Sequence, residues 1–455
     1  MPTRTLLPCA LALTALVAAL ALTVTGGGTL AHRPPLYGWY ALDAALFALA
    51  LLLLRRVRAR QVAPLVLIGS VLVAGAGLLA PPRTSDDAYR YVWDGRVQAA
   101  GTSPYARTPD DPALARLRDP GLFPVGDGCA AWDERRTAAG DCTRINRPAV
   151  HTVYPPVAEA WFLAEHTFGG GVRGVQVGGA LLAVATTGVL LTVGGRSRRA
   201  ALWGWCPGIT VWAVNDAHVD TLGALLMVAG AGCVARRRAG AGGALLGAAV
   251  ATKLLPALAL PGALSGLLAR RPGKDDLVLV AAALGTFAAA YLPYVAASGA
   301  GVLGYLPGYL REEGYEQGHL DRFGLLRAVL PDRWAPWAAA LVLAAVVLWV
   351  LRRGDPHRPW RGALLVTGTA LLLVAPGYPW YGLLVVALVA LDGRWEWLAV
   401  PAAGQVLYLV GGEDAQRVAY GVALVCVLVV PVLRRLMTAA PARPTRGARP
   451  EMTKV

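Results

Sequence analysis

Apolar runs recur from one end of the chain to the other, most of about 15–23 residues and several shorter, close to the length a helix needs to cross the hydrocarbon of a bilayer. They fall at residues 6–25, 36–54 and 61–80, and after one polar stretch at 172–194, 200–214, 219–235, 239–252, 254–268, 277–297, 334–351, 362–375, 380–391, 395–410 and 417–433. The expected fold is therefore all-α and polytopic, with about 12–14 membrane helices. The composition agrees, with 56% hydrophobic and 16% charged residues, where a soluble chain carries about 25% charged. The first run has the outline of a secretory signal, but no small-residue cleavage site follows it, so it reads as a retained helix.

The net charge of +15 does not point to nucleic acid. The Arg and Lys residues sit mainly in short clusters between apolar runs, at 55–60, 196–199, 236–238, 270–274, 352–361 and 434–454. Placing every cluster in the cytoplasm gives one alternating topology, as the positive-inside rule requires. That topology puts the polar stretch 81–155 outside, together with 215–220, Lys253, 298–333 and 376–379. A multi-pass protein of the plasma membrane is expected, with its chemically purposeful side chains on the extracytoplasmic face. Residues 1–438 read as one integral membrane domain. Residues 439–455, rich in Pro, Arg and Ala, read as a disordered basic cytoplasmic tail.

The polar stretch opens with Thr84-Ser-Asp-Asp-Ala-Tyr-Arg-Tyr-Val-Trp-Asp-Gly95. Two adjacent carboxylates, Asp86 and Asp87, thus stand where a membrane helix leaves the lipid, and ionisable groups at that depth mark functional sites by default. A helix beginning near Ser85 would carry Asp87, Arg90, Tyr91, Asp94 and Gln98 on one face and Tyr89, Val92, Trp93 and Val97 on the other. That pattern fits an interfacial helix, apolar side down, presenting its carboxylates to a cleft. An aspartate there either acts as a base toward a hydroxyl or simply suits the positive end of a helix start.

Other outer segments carry matching chemistry, the first of them Ile145-Asn-Arg147 with Tyr154-Pro-Pro156, whose prolines read as a rigid entry to the next helix. Asn215-Asp-Ala-His-Val-Asp220 puts four polar side chains at a helix–helix turn, and Asp216, His218 and Asp220 there serve either a site, a metal or the fold. Lys253 is a lone cation between apolar runs and must snorkel or pair, an anionic lipid phosphate being one partner. Arg90, Arg322 and His319 could join it. Tyr378, Trp380 and Tyr381 form either an aromatic wall for a sugar or an interfacial belt. Cys129 and Cys142 both lie in the polar stretch, and an outer location would permit a disulfide; otherwise they are two free thiols. No Cys-x-x-Cys or His-rich spacing suggests a metal site.

In order along the chain, Asp87-Ala-Tyr-Arg-Tyr91, Gly101-Thr-Ser-Pro-Tyr105, Tyr154-Pro-Pro156, His218-Val-Asp220, Lys253-Leu-Leu-Pro256 and Pro379-Trp-Tyr381 resemble the polyprenol-phosphate-mannose-dependent mannosyltransferases of actinobacteria, members of the GT-C glycosyltransferase superfamily. The resemblance implies a GT-C fold whose first large outer loop bears the catalytic aspartate, best matched by Asp87, with Asp86 as a helper or helix cap. It implies inverting transfer of a sugar, mannose in the first instance, from a polyprenyl phosphate to a lipid-linked or cell-envelope glycan acceptor. Lys253, Arg90 and Arg322 would then contact the donor phosphate, and Tyr91, Asp94, Asp216, His218, Asp220, His319, Tyr378, Trp380 and Tyr381 the substrates. No cofactor is implied; a divalent metal is compatible but not indicated. The chain departs from the pattern at Ser103, where relatives often carry Asn, and in having three apolar runs before the catalytic loop. An arabinosyltransferase would use the same type of donor. A transporter or flippase of lipid-linked sugars is the alternative from another class, and it should show charges near the bilayer midplane.

Overall fold

The structure, a computed structural model, describes residues 6–126, 128–193, 197–312 and 321–439. Three long helices, α1 (Leu6–Gly26), α2 (Pro34–Leu54) and α3 (Ala59–Gly77), precede the polar stretch. Within and after it come α4 (Asp87–Ala99), α5 (Pro156–Thr167) and the long α6 (Gly171–Val193). Next are α7 (Ser197–Gly204), α8 (Asp220–Ala235) and α9 (Ala239–Thr252), then long helices at Lys274–Ser298, Ala335–Arg353 and Glu413–Ala439. Among the described residues seven helices are long and apolar enough to cross a membrane, so the protein is an all-α polytopic membrane protein. The only named strands there are β1 (Arg135–Arg136) and β2 (Cys142–Thr143), a short antiparallel pair.

Several shorter apolar runs are bent or broken rather than simple crossings. An eighth candidate span is a pair, one π-helical turn at Ile209–Asn215 and then α8, bent by 109°. The run at 254–268 divides into short turns, because Pro256 and Pro261 remove helix donors and Gly266 turns the chain with φ +74°.

Helix α3 measures the distance between two chemically different ends, since its 19 residues rise about 28 Å. At its Ala59 end the basic clusters gather. Arg198 donates to the carbonyls of Leu54 and Val57, Arg199 to that of Leu391 and Arg236 to that of Thr192. At its Gly77 end Asn215 donates to the carbonyls of Gly77, Ala80 and Pro81. The orphan carbonyls of a helix terminus are thus tied to the corner that carries Asp216 and His218.

The polar stretch does not leave α4 lying with one face free. Residues Ala88 to Gly95 and Val97 are all buried. The expectation of an interfacial helix with an open polar face is corrected here: α5 packs against α4 on one side and the 129–150 segment covers it on the other. Gly95 permits the first contact, because a side chain there would run into the Phe162 carbonyl.

Candidate functional site

Asp86 stands at the N-cap position of α4, yet its side chain caps nothing. Its carboxylate is engaged by Arg135 and by the Asn146 amide at 3.1 Å. The same amide donates to Asp87 at 2.6 Å. The other oxygen of Asp87 faces Nδ1 of His218 at 3.4 Å. Two adjacent carboxylates are therefore held apart by partners of different kind, one by a guanidinium and the other between an amide and an imidazole.

The facing wall is the bent corner between the π-helical turn and α8. Ala217 sits there with φ +56°, a left-handed conformation that a non-glycine residue adopts only when its surroundings hold it. Asp216 accepts hydrogen bonds from the backbone N–H groups of Arg83, Thr84 and Ser85 and, at 2.5 Å, from the Thr84 hydroxyl. It thereby fixes the strand of chain that leads into Asp86 and Asp87. Asp220, one turn on, pairs with Lys253 at 2.5 Å. Lys253 ends α9 in extended conformation, which explains why this cation splits the apolar block. Its ammonium lies 4.8 Å from the Tyr381 ring centre. An ammonium has three donors, and Asp220 takes one. His218 Nε2 and the second oxygen of Asp220 are buried with no hydrogen-bond partner among the described residues. Buried polar atoms without partners are costly, so a ligand hydroxyl, which can donate to the Asp220 oxygen, would be well received between them.

Aromatic rings close the site. His218 stacks on Trp380 with ring centres 3.8 Å apart, and Trp380 on Tyr378 at 4.9 Å. Tyr408 packs edge-on to Trp380 and donates to the Thr84 carbonyl. Tyr381 and Tyr309 join hydroxyl to hydroxyl. Tyr91 is buried under Asp87, stacked on Phe162 at 4.3 Å.

Arg90, Asp94 and Arg322 have other surroundings. Arg90 forms a buried pair with Asp94 at 2.9 Å and donates to the carbonyls of Arg147 and Val150. Arg90 and Asp94, expected at the donor phosphate and the substrate, bond to each other and to the loop that delivers Asn146. Arg322 is buried with its guanidinium against Gly377. His319 lies outside the described residues, as do residues 440–455 of the tail.

Sequence reasoning passed over Arg135 and Tyr408, and singled out Ile145-Asn-Arg147 without giving Asn146 or Arg147 a role. Arg147 pairs with Glu312 at 2.5 Å and lies over the Tyr309 ring. Its only linear signal was Ile145-Asn-Arg147, polar residues beside an isoleucine that proves fully buried.

The electrostatics separate the two aspartates. Burial alone would raise the Asp87 pKa, but the imidazole of His218 beside it, with Lys253 and Arg147, outweighs it and holds the carboxyl below the usual range. Asp86 moves the other way, because burial and the charge of Asp87 exceed the effect of Arg135. Deeper under the site, burial and the charge of Asp94 raise Glu159 well above the ordinary value. Cys129 and Cys142 are joined in a disulfide. No group of three or more His, Cys, Asp or Glu side chains among the described residues is arranged to hold a metal ion.

An apolar cavity of about 1320 Å³ lies on the far side of the corner. It follows α2 from Arg55 to Tyr37 and is walled by Leu51, Val211, Trp212 and Leu409. Trp212 links it to the site, since its carbonyl accepts the His218 backbone N–H at 2.9 Å.

Residues 152–376 match the family model described as Glycosyltransferase family 87. No curated protein and no solved structure matches the chain. On the family match the chain is a glycosyltransferase, and its long apolar helices make it a membrane one. The matched stretch carries His218, Asp220 and Lys253; it begins after Asp87 and Asn146 and stops short of Trp380.

Proposed function

We propose that the protein transfers a sugar, mannose in the first instance, from a polyprenyl phosphate to a hydroxyl of a lipid-linked or envelope glycan on the extracytoplasmic side of the plasma membrane. The observation that carries this reading is Asp87: a carboxylate held ionised by His218, beside the Lys253 cation, at the end of the molecule opposite the basic clusters. Asp87 takes the proton of the acceptor hydroxyl. The acceptor oxygen attacks the anomeric carbon from the face opposite the phosphate, the sugar–phosphate bond breaks, and polyprenyl phosphate leaves with the electron pair. Lys253 and Arg147 meet the charge that grows on that phosphate. Phosphate is a competent leaving group, so the proposed step calls on no metal.

Three features support the finer points. The positive-inside rule assigns the basic end to the cytoplasm. A disulfide in the polar stretch suits an oxidising compartment. The apolar cavity behind the corner has room for a lipid chain. Charged site residues gathered at one end also favour an enzyme over a transporter built around a midplane site.

Membranes carrying the wild type or Asp87→Asn, at equal protein level, are supplied with radiolabelled polyprenyl-phosphate mannose and extracted envelope acceptors. Transfer by the wild type and none by the variant is expected. Full transfer by the variant would remove Asp87 as base. No transfer by either would move the donor to another sugar on the same carrier, arabinose first.

A further inference from the structure

The covalently closed hairpin in the polar stretch is docked on the first turn of α4 at several points. The Cys129–Cys142 bond ties its ends across 13 residues of sequence, with the Cα atoms 5.4 Å apart. Inside it, Arg135 pairs across the ladder with Thr143 and Arg136 with Cys142, and the turn closes through Thr137 N–H to the Asp141 carbonyl at 2.8 Å. Tyr89 of α4 donates to Asp133 at 2.7 Å, and Arg144 bonds Glu134 at 3.2 Å. The next residues are Ile145, fully buried, and Asn146, which bridges both aspartates. One short segment therefore delivers both the cation on Asp86 and the amide on Asp87.

We propose that Arg135, presented by the disulfide-closed hairpin, is a positioning residue for the transfer: it keeps Asp86 an acceptor, Asp86 holds the Asn146 amide, and the amide orients the Asp87 carboxylate. The inference rests on the proposed function for what is transferred, and adds a dependence of the rate on a side chain and a disulfide that meet the base only through its neighbours. The chemistry is that of donors and acceptors. An ionised Asp86 accepts from both Arg135 and Asn146. Without Arg135 it is a poorly solvated carboxylate beside another, and such a pair retains a proton. A protonated Asp86 offers the Asn146 amide a neutral carbonyl oxygen in place of a carboxylate oxygen, a weaker acceptor, so one of the amide's two anchors slackens and Asp87 loses its fixed aim. The groups facing Asp86 are Arg135 and Asn146 from the hairpin segment, Asp87 and Tyr89 from α4, and Tyr408 from the Ala399–Val410 helix.

Steady-state transfer by purified full-length protein in lipid tests this. Arg135→Gln should lower kcat about ten- to a hundredfold, the scale set by misaligned reacting groups, with KM for the donor little changed. Its kcat should climb with pH, as Asp86 ionises again, over a range where the wild type is flat. Arg135→Lys should recover most of the rate. The double variant Asp86→Asn/Arg135→Gln should exceed Arg135→Gln, because an amide at 86 needs no counter-ion. Cys129→Ser/Cys142→Ser should be slowed as Arg135→Gln is, and adding Arg135→Gln to it should slow it little further. A wild-type kcat and pH profile in Arg135→Gln would overturn the proposal, as would a loss shared equally by Arg135→Lys. If the wild type itself transfers nothing from polyprenyl-phosphate mannose, the donor reading has failed and these comparisons are run with the donor that works.

Discussion

Asp87 and Asp216 lie on facing walls of one site, and their surroundings differ. Asp216 is fully buried and meets three backbone N–H groups and a hydroxyl on the opposite wall. Its acceptor capacity is filled by the fold. Asp87 is partly exposed and meets one amide and one imidazole, which leaves it lone pairs for a substrate. The wall bearing Asp216 lies within the family-matched stretch and the wall bearing Asp87 before it. A carboxylate supplied with donors by its own backbone becomes a clamp; one supplied sparingly, but kept ionised, can be a base.

Five substitutions would break or sharpen this contrast. Asp87→Asn should have the largest effect, a fall in kcat of about 10³-fold, within the range of general-base catalysis; kcat and KM measured separately would show whether binding survives. Lys253→Gln should lower kcat/KM by about 10–100-fold, the scale of one hydrogen bond to a charged group. Arg90→Gln should instead reduce the amount of folded protein, and a selective loss of donor affinity in that variant would restore Arg90 to the phosphate site. His218→Gln tests the ionisation of Asp87. His218 holds that carboxyl below its usual range, so its loss should raise the pKa and move the acid limb of kcat upward in pH. The loss should be larger at low pH than at high pH; a parallel loss at all pH values would contradict the pairing. Asp216→Asn should have the smallest catalytic effect: about 1–3 kcal/mol less stability from buried donors left unmet, read as a lower melting temperature, with kcat per folded molecule within a few-fold of wild type.

The linear pattern disclosed more of the fold than of the site. Run lengths and basic clusters gave an all-helical membrane protein with its polar stretch and basic clusters at opposite ends of α3. Asp86, Asp87, His218, Asp220, Lys253 and Trp380 were all visible as polar or aromatic residues where apolar ones were expected, and they converge. Arg90 and Asp94 misled, because a helical wheel shows which residues share a face and not whether another helix covers it; α5 and the 129–150 segment do. Arg135 was missed for the converse reason, and Asn146, though singled out, was given no role. In a polar stretch one more Arg or Asn has no contrast with its neighbours, and only the hairpin and the loop after it bring them to Asp86 and Asp87.

What the sequence determined alone was set by local chemistry: lipid-length apolar runs must be helices because lipid offers the backbone no partners, and cations sort to one side. What only the tertiary structure decided was the allocation of hydrogen-bond partners. Whether an aspartate is a clamp or a base depends on donors brought from residues 59 to 133 positions away, as the Asn146 amide to Asp87 and the Arg83 N–H to Asp216 illustrate, and those distances close only when the helices pack.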